Sequence, residues 1–415
     1  MNKILAIVLI VFFASCQTKT KQDSNASTNL VKDSLFAELS ILHQKGNING
    51  FGLTIVNEEG ALYSKGIGYS DIESNSEYTV NTLQNIGSVS KTFIGISLLK
   101  AQELGKLKLD DPINNYLPFK VENPNHPEEE ITIRHLATHT STILDTDYYD
   151  EKSYILKDKT ASTDSIKSVN ETFNDPDSKT TLEVFLKKIL SKDGEWYQED
   201  GFMANKPGEI FEYSNIGATL AALVLEIATE QSFNEFATKN ILEPLDMKSS
   251  GWSFENIDLS QHSKLYADPK TELPFYSLIT YPDGGLITNI SDFSKYLTEL
   301  IKGYSGEGKL LNKNSYQELF REQLTAESFP ERDEEDDFDD EYNTGIFMGF
   351  TPKGFIGHTG GDPGIATFMF FDPGTKTGRV MMINTSIINQ EGVDQFYDTW
   401  NTLGRYEKKL TSYSD

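Results

Sequence analysis

With a single cysteine, Cys16, in 415 residues, the chain can form no internal disulfide, so its fold has to be held by a buried core. Basic residues are also scarce: Lys+Arg total 37 against 63 Asp+Glu, a formal net charge of -26. That balance opposes binding to nucleic-acid phosphates or anionic lipid through a general basic surface, and it favours solubility. The one conspicuous apolar run, Ile4 to Phe13, falls short of the about 20 residues that a membrane span needs. No repeat of solenoid length is found. Metal motifs are lacking too. His135 and His139 stand at i,i+4, but Leu136 occupies the place of the H-E-x-x-H glutamate, which leaves them a structural role. In "GYSGEG", Gly303 to Gly308, Glu307 replaces the second glycine of a G-x-S-x-G elbow, so this is read as a loop. No cofactor is expected.

What is present begins at the N-terminus. "MNKILAIVLIVFFASC" sets Lys3 before the apolar run and small residues before Cys16, the pattern of an export signal over residues 1–15. "FASC" resembles a bacterial lipobox, which implies cleavage before Cys16 and a lipid on its sulfur. Residues 16–29 then read as a flexible polar tether, placing the following domain outside the cytoplasmic membrane.

Composition of 38% hydrophobic and 11% aromatic residues allows one large core or two smaller ones. "LVKDSLFAELSILHQK" puts Leu35, Leu39 and Leu42 on one helical face. "FGLTIVNEEGALYSKGIGYSD" predicts two strands joined by a turn at Glu59-Gly60. Helices are expected in the middle of the chain, among them "TLEVFLKKILSK", "NIGATLAALVLEIATEQSFNEFATKNIL" and "NISDFSKYLTELIKGY". "GFIGHTGG", "IATFMFFDP" and "RVMMINTSI" predict three late strands, followed by a helix near "VDQFYDTWNTLG". The expected architecture is α/β (α+β): a domain spanning residues 30–405, with an antiparallel sheet built from both ends and flanked by terminal helices. A mostly helical lobe is inserted at roughly 105–340, and residues 406–415 form a tail. The acidic run "ERDEEDDFDDEY", Glu331 to Tyr342, lacks EF-hand spacing and reads as a solvated loop. Trp196, Tyr197 and Trp252 can line a cleft or pack in the core.

Chemistry concentrates in three stretches. "NIGSVSKTFIG" places Ser88 three residues before Lys91, so that on a helix the hydroxyl and the amine share a face. A serine becomes nucleophilic when a neighbouring base takes its proton, and a desolvated lysine can be that base. Ser88 or Ser90 could equally be a helix cap, and S-x-x-K alone does not decide. "KPGEIFEYSNIGATL" supplies Tyr213, able to transfer a proton, and Asn215, able to bind a substrate amide, just before an apolar helix. "GHTGGDPG" supplies His358, Thr359, Gly360 and Gly361 at the end of a strand, where backbone N-H groups can face an oxyanion.

This ordered series resembles the serine β-lactamase and penicillin-binding-protein superfamily, in the branch of class C β-lactamases, D-alanyl-D-alanine carboxypeptidases, D-aminopeptidases and S-x-x-K esterases. "LDDPINNYLP", "ITIRHLATHTS", "ILEPLDMKSSGW" and "YPDGGLITNISDFSKYL" look like further landmarks of it. The resemblance implies an acyl-Ser88 intermediate, with Lys91 helping to deprotonate Ser88 and Tyr213 carrying a proton to the leaving group. It also implies an oxyanion site at the N-H groups of Ser88 and Gly361. Whether Lys91 or Tyr213 takes the first proton is open. Two departures stand out: His358 where class C β-lactamases carry lysine, and Thr142 where the family has glycine. The first favours a small amide or ester, such as a D-amino-acid peptide or carboxylic ester, over a β-lactam. The alternatives are a β-lactamase and a non-hydrolytic penicillin-binding protein. Small-molecule or peptide substrates are expected, with the membrane reached only through Cys16; oligomeric state is not legible.

Overall fold

A computed structural model describes residues 11–159, 173–329 and 337–412, with side chains from residue 27 onward. Its centre is a sheet of eight strands, in spatial order 343–344, 349–350, 356–362, 365–372, 377–383, 50–57, 60–71 and 76–77. All neighbours are antiparallel, and the two ends of the chain meet where Phe51 pairs with Ile383 and Asn57 with Thr377. Side chains alternate between the two faces of such a sheet. Accordingly Phe370, Met381 and Ile383 pack on one side, while Met369, Phe371, Val380 and Met382 pack on the other. Because both faces are covered, "VMMI" reads as an unbroken apolar run instead of an alternating one.

The first face is covered by the terminal helices Val11–His43 and Gln390–Thr411, through Leu35, Leu39, Phe396, Trp400 and Leu403. The other carries helix Ile290–Tyr304, through Ile290, Phe293 and Leu297, and beyond it the helical region. The expected α/β sheet with an inserted helical lobe is therefore the fold observed. Among the described residues no helix is long and apolar enough to cross a membrane.

Three local expectations are corrected. The segment read as a flexible tether is helical where described: residues 16–29 hold neither glycine nor proline, and nothing there interrupts the helix that begins at Val11. The expected tail from 406 belongs to the last helix as far as Thr411, because Tyr406 and Leu410 continue its buried stripe and Tyr406 donates to Glu38 on the first helix. The long helix predicted from Asn215 stops at Thr229. Glu230 takes a left-handed conformation (φ 57°), and a capping box of Ser232 with Glu235 starts a separate helix at Phe233.

Trp252 is core, edge-on to Phe93 and Phe233, whereas Trp196 stacks on Tyr148 nearer the surface. Tyr197 is likewise partly buried against the core, tilted beside Phe202.

Candidate active site

Ser88 lies in a single 3-10 turn, Gly87–Ser90, that runs directly into helix Lys91–Glu103. Neither serine caps this helix through its side chain. Ser90 is fully buried and accepts from the Leu286 N-H at 3.2 Å, a structural bond. Ser88 remains partly exposed, and Lys91 Nζ stands 2.9 Å from its Oγ. The turn is pressed against strand Ile356–Asp362: a Cβ on Gly87 (φ 56°) would come within 2.8 Å of Gly361 N, and one on Gly360 within 2.2 Å of Ile86 O. Glycine is required at both, at Gly87 for the left-handed backbone and at Gly360 for the close approach. Strand and turn thereby bring the backbone nitrogens of Ser88 and Gly361 close together.

Lys91 is completely buried and meets three oxygens: Ser88 Oγ, Asn215 Oδ1 at 2.6 Å and the Asp283 carbonyl at 2.9 Å. An ammonium has three protons and satisfies all three; a neutral amine has two protons and a lone pair. Of the three partners only the serine hydroxyl can reverse direction and donate. Loss of one proton from Lys91 therefore converts Ser88 from acceptor to donor and aims its proton at the lone pair. Burial pushes the Lys91 pKa down, and the charges of Asp283, Asp145, Asp362 and Glu341 oppose that shift only in part.

Asn215 is oriented from behind. Asp145 accepts from Asn215 Nδ2 at 2.7 Å and from the backbone N-H groups of Asn215 and Ile216, both at 2.9 Å. It thus completes the N-terminus of helix Asn215–Thr229 together with Ser214, whose Oγ accepts from Gly217 N. With its amide nitrogen committed to Asp145, Asn215 has to turn its carbonyl oxygen to Lys91.

Tyr213 precedes this cap. Its hydroxyl oxygen is shielded from solvent and, among the described residues, has no well-aligned hydrogen-bond partner, although hydrogen bonding toward Ser88 acts to lower its pKa. Burial is the larger effect and holds the phenol well above its usual range, with Asp340, Glu341 and Asp283 adding to it, so Tyr213 stays protonated. Its ring faces Lys91, with Nζ 5.1 Å from the centroid, and stacks on His139 at 4.6 Å. His139 is buried, its pKa driven well below the ordinary range by desolvation, and its Nδ1 accepts from Ser214 N at 3.1 Å. It supports Tyr213 as a neutral ring. His135 instead receives the Thr132 N-H on Nδ1 at 3.2 Å, so the two histidines serve separate structural bonds.

Thr142 adopts φ 70°, the region where the family's glycine would be at ease. The loop keeps that shape with a threonine, whose Oγ1 accepts from buried Asn123 at 2.9 Å.

At the strand, His358 Nδ1 lies 2.6 Å from the Thr359 carbonyl and 3.1 Å from Asp340 Oδ2, so this nitrogen carries the proton. Desolvation lowers the His358 pKa, Asp340 raises it and Lys91 lowers it; the net direction is down. Asp340 also accepts from Thr359 N at 2.7 Å and Thr359 Oγ1 at 2.9 Å. The acidic run reads from sequence as a solvated loop, and its end is not one: Asp340 docks on the candidate site because three donors converge there. Residues 331–336 of the run lie outside the described residues. Sequence reasoning also missed Asp145, Asp283 and His139 as supports. Asp283 is buried, accepts from Tyr149 and Thr219 at 2.8 Å each, and its carboxyl is raised to about 6 by desolvation against the lowering effect of Lys91.

The family model described as Beta-lactamase matches residues 33–403. The chain belongs to this Beta-lactamase family. Among curated proteins, it is 25% identical over 364 residues to Protein flp of Staphylococcus aureus strain MW2, covering 86% of this chain and 64% of that protein. It is also 25% identical over 323 residues to the mitochondrial serine beta-lactamase-like protein LACTB of Mus musculus, covering 66% of this chain and 58% of that protein. The chain thus spans less than two thirds of the length of these curated relatives. Among solved structures it resembles a beta-lactamase/D-alanine carboxypeptidase from Yersinia pestis (TM-score 0.63, 17% identity, 92% of this chain and 99% of that one). A D-amino acid amidase from Ochrobactrum anthropi shares the fold as well (TM-score 0.62, 16% identity, 92% and 99%).

Proposed function

We propose that this Beta-lactamase family protein is a serine hydrolase acting through an acyl-Ser88 intermediate on a small amide or ester. The observation that carries the reading is the three-oxygen setting of Lys91, in which only Ser88 can become a donor when the amine is neutral. In the proposed reaction, neutral Lys91 takes the Ser88 proton as Oγ bonds to the substrate carbonyl carbon. The carbonyl oxygen gains the electron pair and is held by the N-H groups of Ser88 and Gly361. As the C-N or C-O bond breaks, Tyr213 gives its proton to the leaving amine or alkoxide and is reprotonated from Lys91. Water then repeats the sequence on the acyl-enzyme, with the proton moving through the same groups.

D-Amino-acid peptides and short carboxylic esters are the proposed substrates. The D-amino acid amidase among the neighbours supports the amide half of that choice. A β-lactam is the less favoured acyl donor, because His358 replaces a lysine and Thr359 is already engaged by Asp340. Export and attachment through a lipid on Cys16 remain part of the proposal, resting on the lipobox-like "FASC". A fluorophosphonate probe followed by peptide mass mapping should modify Ser88, and undiminished labelling of Ser88→Ala would overturn the assignment. A panel of a chromogenic cephalosporin, short acyl esters and D-amino-acid peptides then ranks the substrates. Fastest turnover of the cephalosporin would make the protein a β-lactamase, and a stoichiometric burst without turnover a penicillin binder.

A further inference from the structure

In an antiparallel strand, the N-H groups of residues i and i+2 point to the same edge. Thr359 N points away from the neighbouring strand 365–372 and into Asp340, so Gly361 N, two residues on, opens to that same side, against Gly87. The edge that offers Gly361 to a substrate oxygen thus continues into a position filled by the protein's own carboxylate. Asp340 occupies Thr359 N, Thr359 Oγ1 and His358 Nδ1 together. With Asp340 in place, these three donors are taken and a substrate carboxylate beside them would meet a like charge. Glu341 follows immediately, bridged to Phe350 on the adjoining edge strand and with its residue exposed. Inside the same opening, the Tyr213 hydroxyl is shielded and without a well-aligned partner.

We infer that Asp340 and Glu341 set the charge preference of this site: the part of the substrate seated beside Thr359 carries an ammonium group, and a carboxylate there is rejected. Two carboxylates on one edge, Asp340 locked in place by three donors and Glu341 next to it in the chain, favour a protonated amine and repel a like charge. Desolvation, then Asp340, Asp339 and Glu212, raise the Glu341 carboxyl to about 7 against the lowering effect of Lys91, so its full negative charge is present only above neutral pH, where the ammonium preference should be strongest. Short amides or esters bearing a free amine are the class that satisfies it. This inference rests on the serine-hydrolase reading and adds the charge of the substrate to it.

The test uses matched esters on the full chain. One set carries the charge in the leaving half: 3-(aminomethyl)phenyl, 3-carboxyphenyl and 3-methylphenyl acetate. The other carries it in the acyl half: p-nitrophenyl 6-aminohexanoate, mono-p-nitrophenyl adipate and p-nitrophenyl hexanoate. In at least one set, kcat/KM for the ammonium ester should exceed that for the carboxylate ester by about tenfold or more. The ratio should shrink at least about threefold in Glu341→Gln and in Asp340→Asn, and with added salt. Asp340, not Glu341, holds Thr359 and His358, so the Glu341 variant leaves those bonds in place. A ratio of one or below in both sets, or a ratio unchanged in both variants, overturns the inference. Ser88-dependent hydrolysis without ammonium preference would remove only this proposal. Absence of Ser88-dependent hydrolysis of every ester would remove the serine-hydrolase reading with it.

Discussion

The Nζ of Lys91 lies 2.9 Å from the Oγ of Ser88, inside a pocket that leaves the lysine no contact with solvent. Ser88 itself stays partly exposed. The amine is therefore dry while the hydroxyl is reachable, a separation that an i,i+3 pair on a surface helix would not provide.

Replacing Lys91 by methionine separates stability from catalysis. A buried ammonium costs desolvation that its hydrogen bonds only partly return, so Lys91→Met should unfold within about 2 kcal/mol of the parent, in either direction. Acylation of Ser88 should fall at least about 10³-fold, since the proposed base and nucleophile would act as a unit. Chemical denaturation and the rate of fluorophosphonate labelling give the two numbers.

Tyr213→Phe should lose about 10²–10⁴ in turnover, the range for removal of a positioned proton carrier. The missing hydroxyl has no well-aligned hydrogen-bond partner to lose, so the melting temperature should barely move. A large loss of stability with little change in rate would show that the hydroxyl is structural.

Asp283→Asn tests the electrostatics with a defined sign. The negative charge of Asp283 raises the Lys91 pKa, so its removal should shift the acidic limb of kcat/KM to lower pH. Stability should change as well. The folded-state pKa of Asp283 is about 6, above the unfolded carboxylate, so the parent loses stability as pH rises through that window. The loss is on the order of 3 kcal/mol by pH 7, and the variant should lack it, because the oxygen of the substituted amide can still accept from Tyr149 and Thr219. Paired pH-rate and pH-stability profiles decide both points.

Asp145→Ala withdraws an acceptor from Asn215 Nδ2 and from two backbone N-H groups at a helix start. A loss of about 2–3 kcal/mol is expected from the exposed helix end and the unpaired amide. Because Asn215 would then be free to rotate, turnover should fall more than the fraction unfolded accounts for.

Gly87→Ala should impair catalysis without touching any reacting side chain. Its Cβ would come within 2.8 Å of Gly361 N, at a φ of 56° that alanine resists. Pushing the Ser88 turn off the strand by a fraction of an ångström spreads the two N-H groups proposed to hold the oxyanion, and a loss of about 10²-fold in kcat is expected. Labelling of Ser88 at an unchanged rate would contradict it.

Much of the fold was legible because its signals are local. The pair of strands around Glu59-Gly60, the late strands and the helix from Ser88 onward announce themselves by period and punctuation. The helix from Asn215 was overextended because Glu230, an ordinary helix residue by propensity, takes a left-handed backbone that only its surroundings specify. The missing supports of the site share another cause. Asp145 is a lone carboxylate in an irregular segment, Asp283 sits in the single helical turn Tyr281–Gly284 and Asp340 is one of many acids in its run, so no local pattern marks any of them as a support of the site. His139 was noticed for its spacing to His135, which proved irrelevant; its position under Tyr213 arises from packing between distant segments.

The sequence by itself determined most of the longer strands and helices, the residue types of the candidate site, their order along the chain and the three-residue interval of Ser88 and Lys91, because hydrophobic period and side-chain spacing are properties of neighbours. Only the tertiary structure decided that Ser90 is a buried acceptor, that Lys91 is dry and three-coordinate, and that the end of an acidic run docks on Thr359. Those outcomes depend on desolvation and on hydrogen bonds between residues far apart in the chain, and they exist only once the sheet and the helical lobe close around one another.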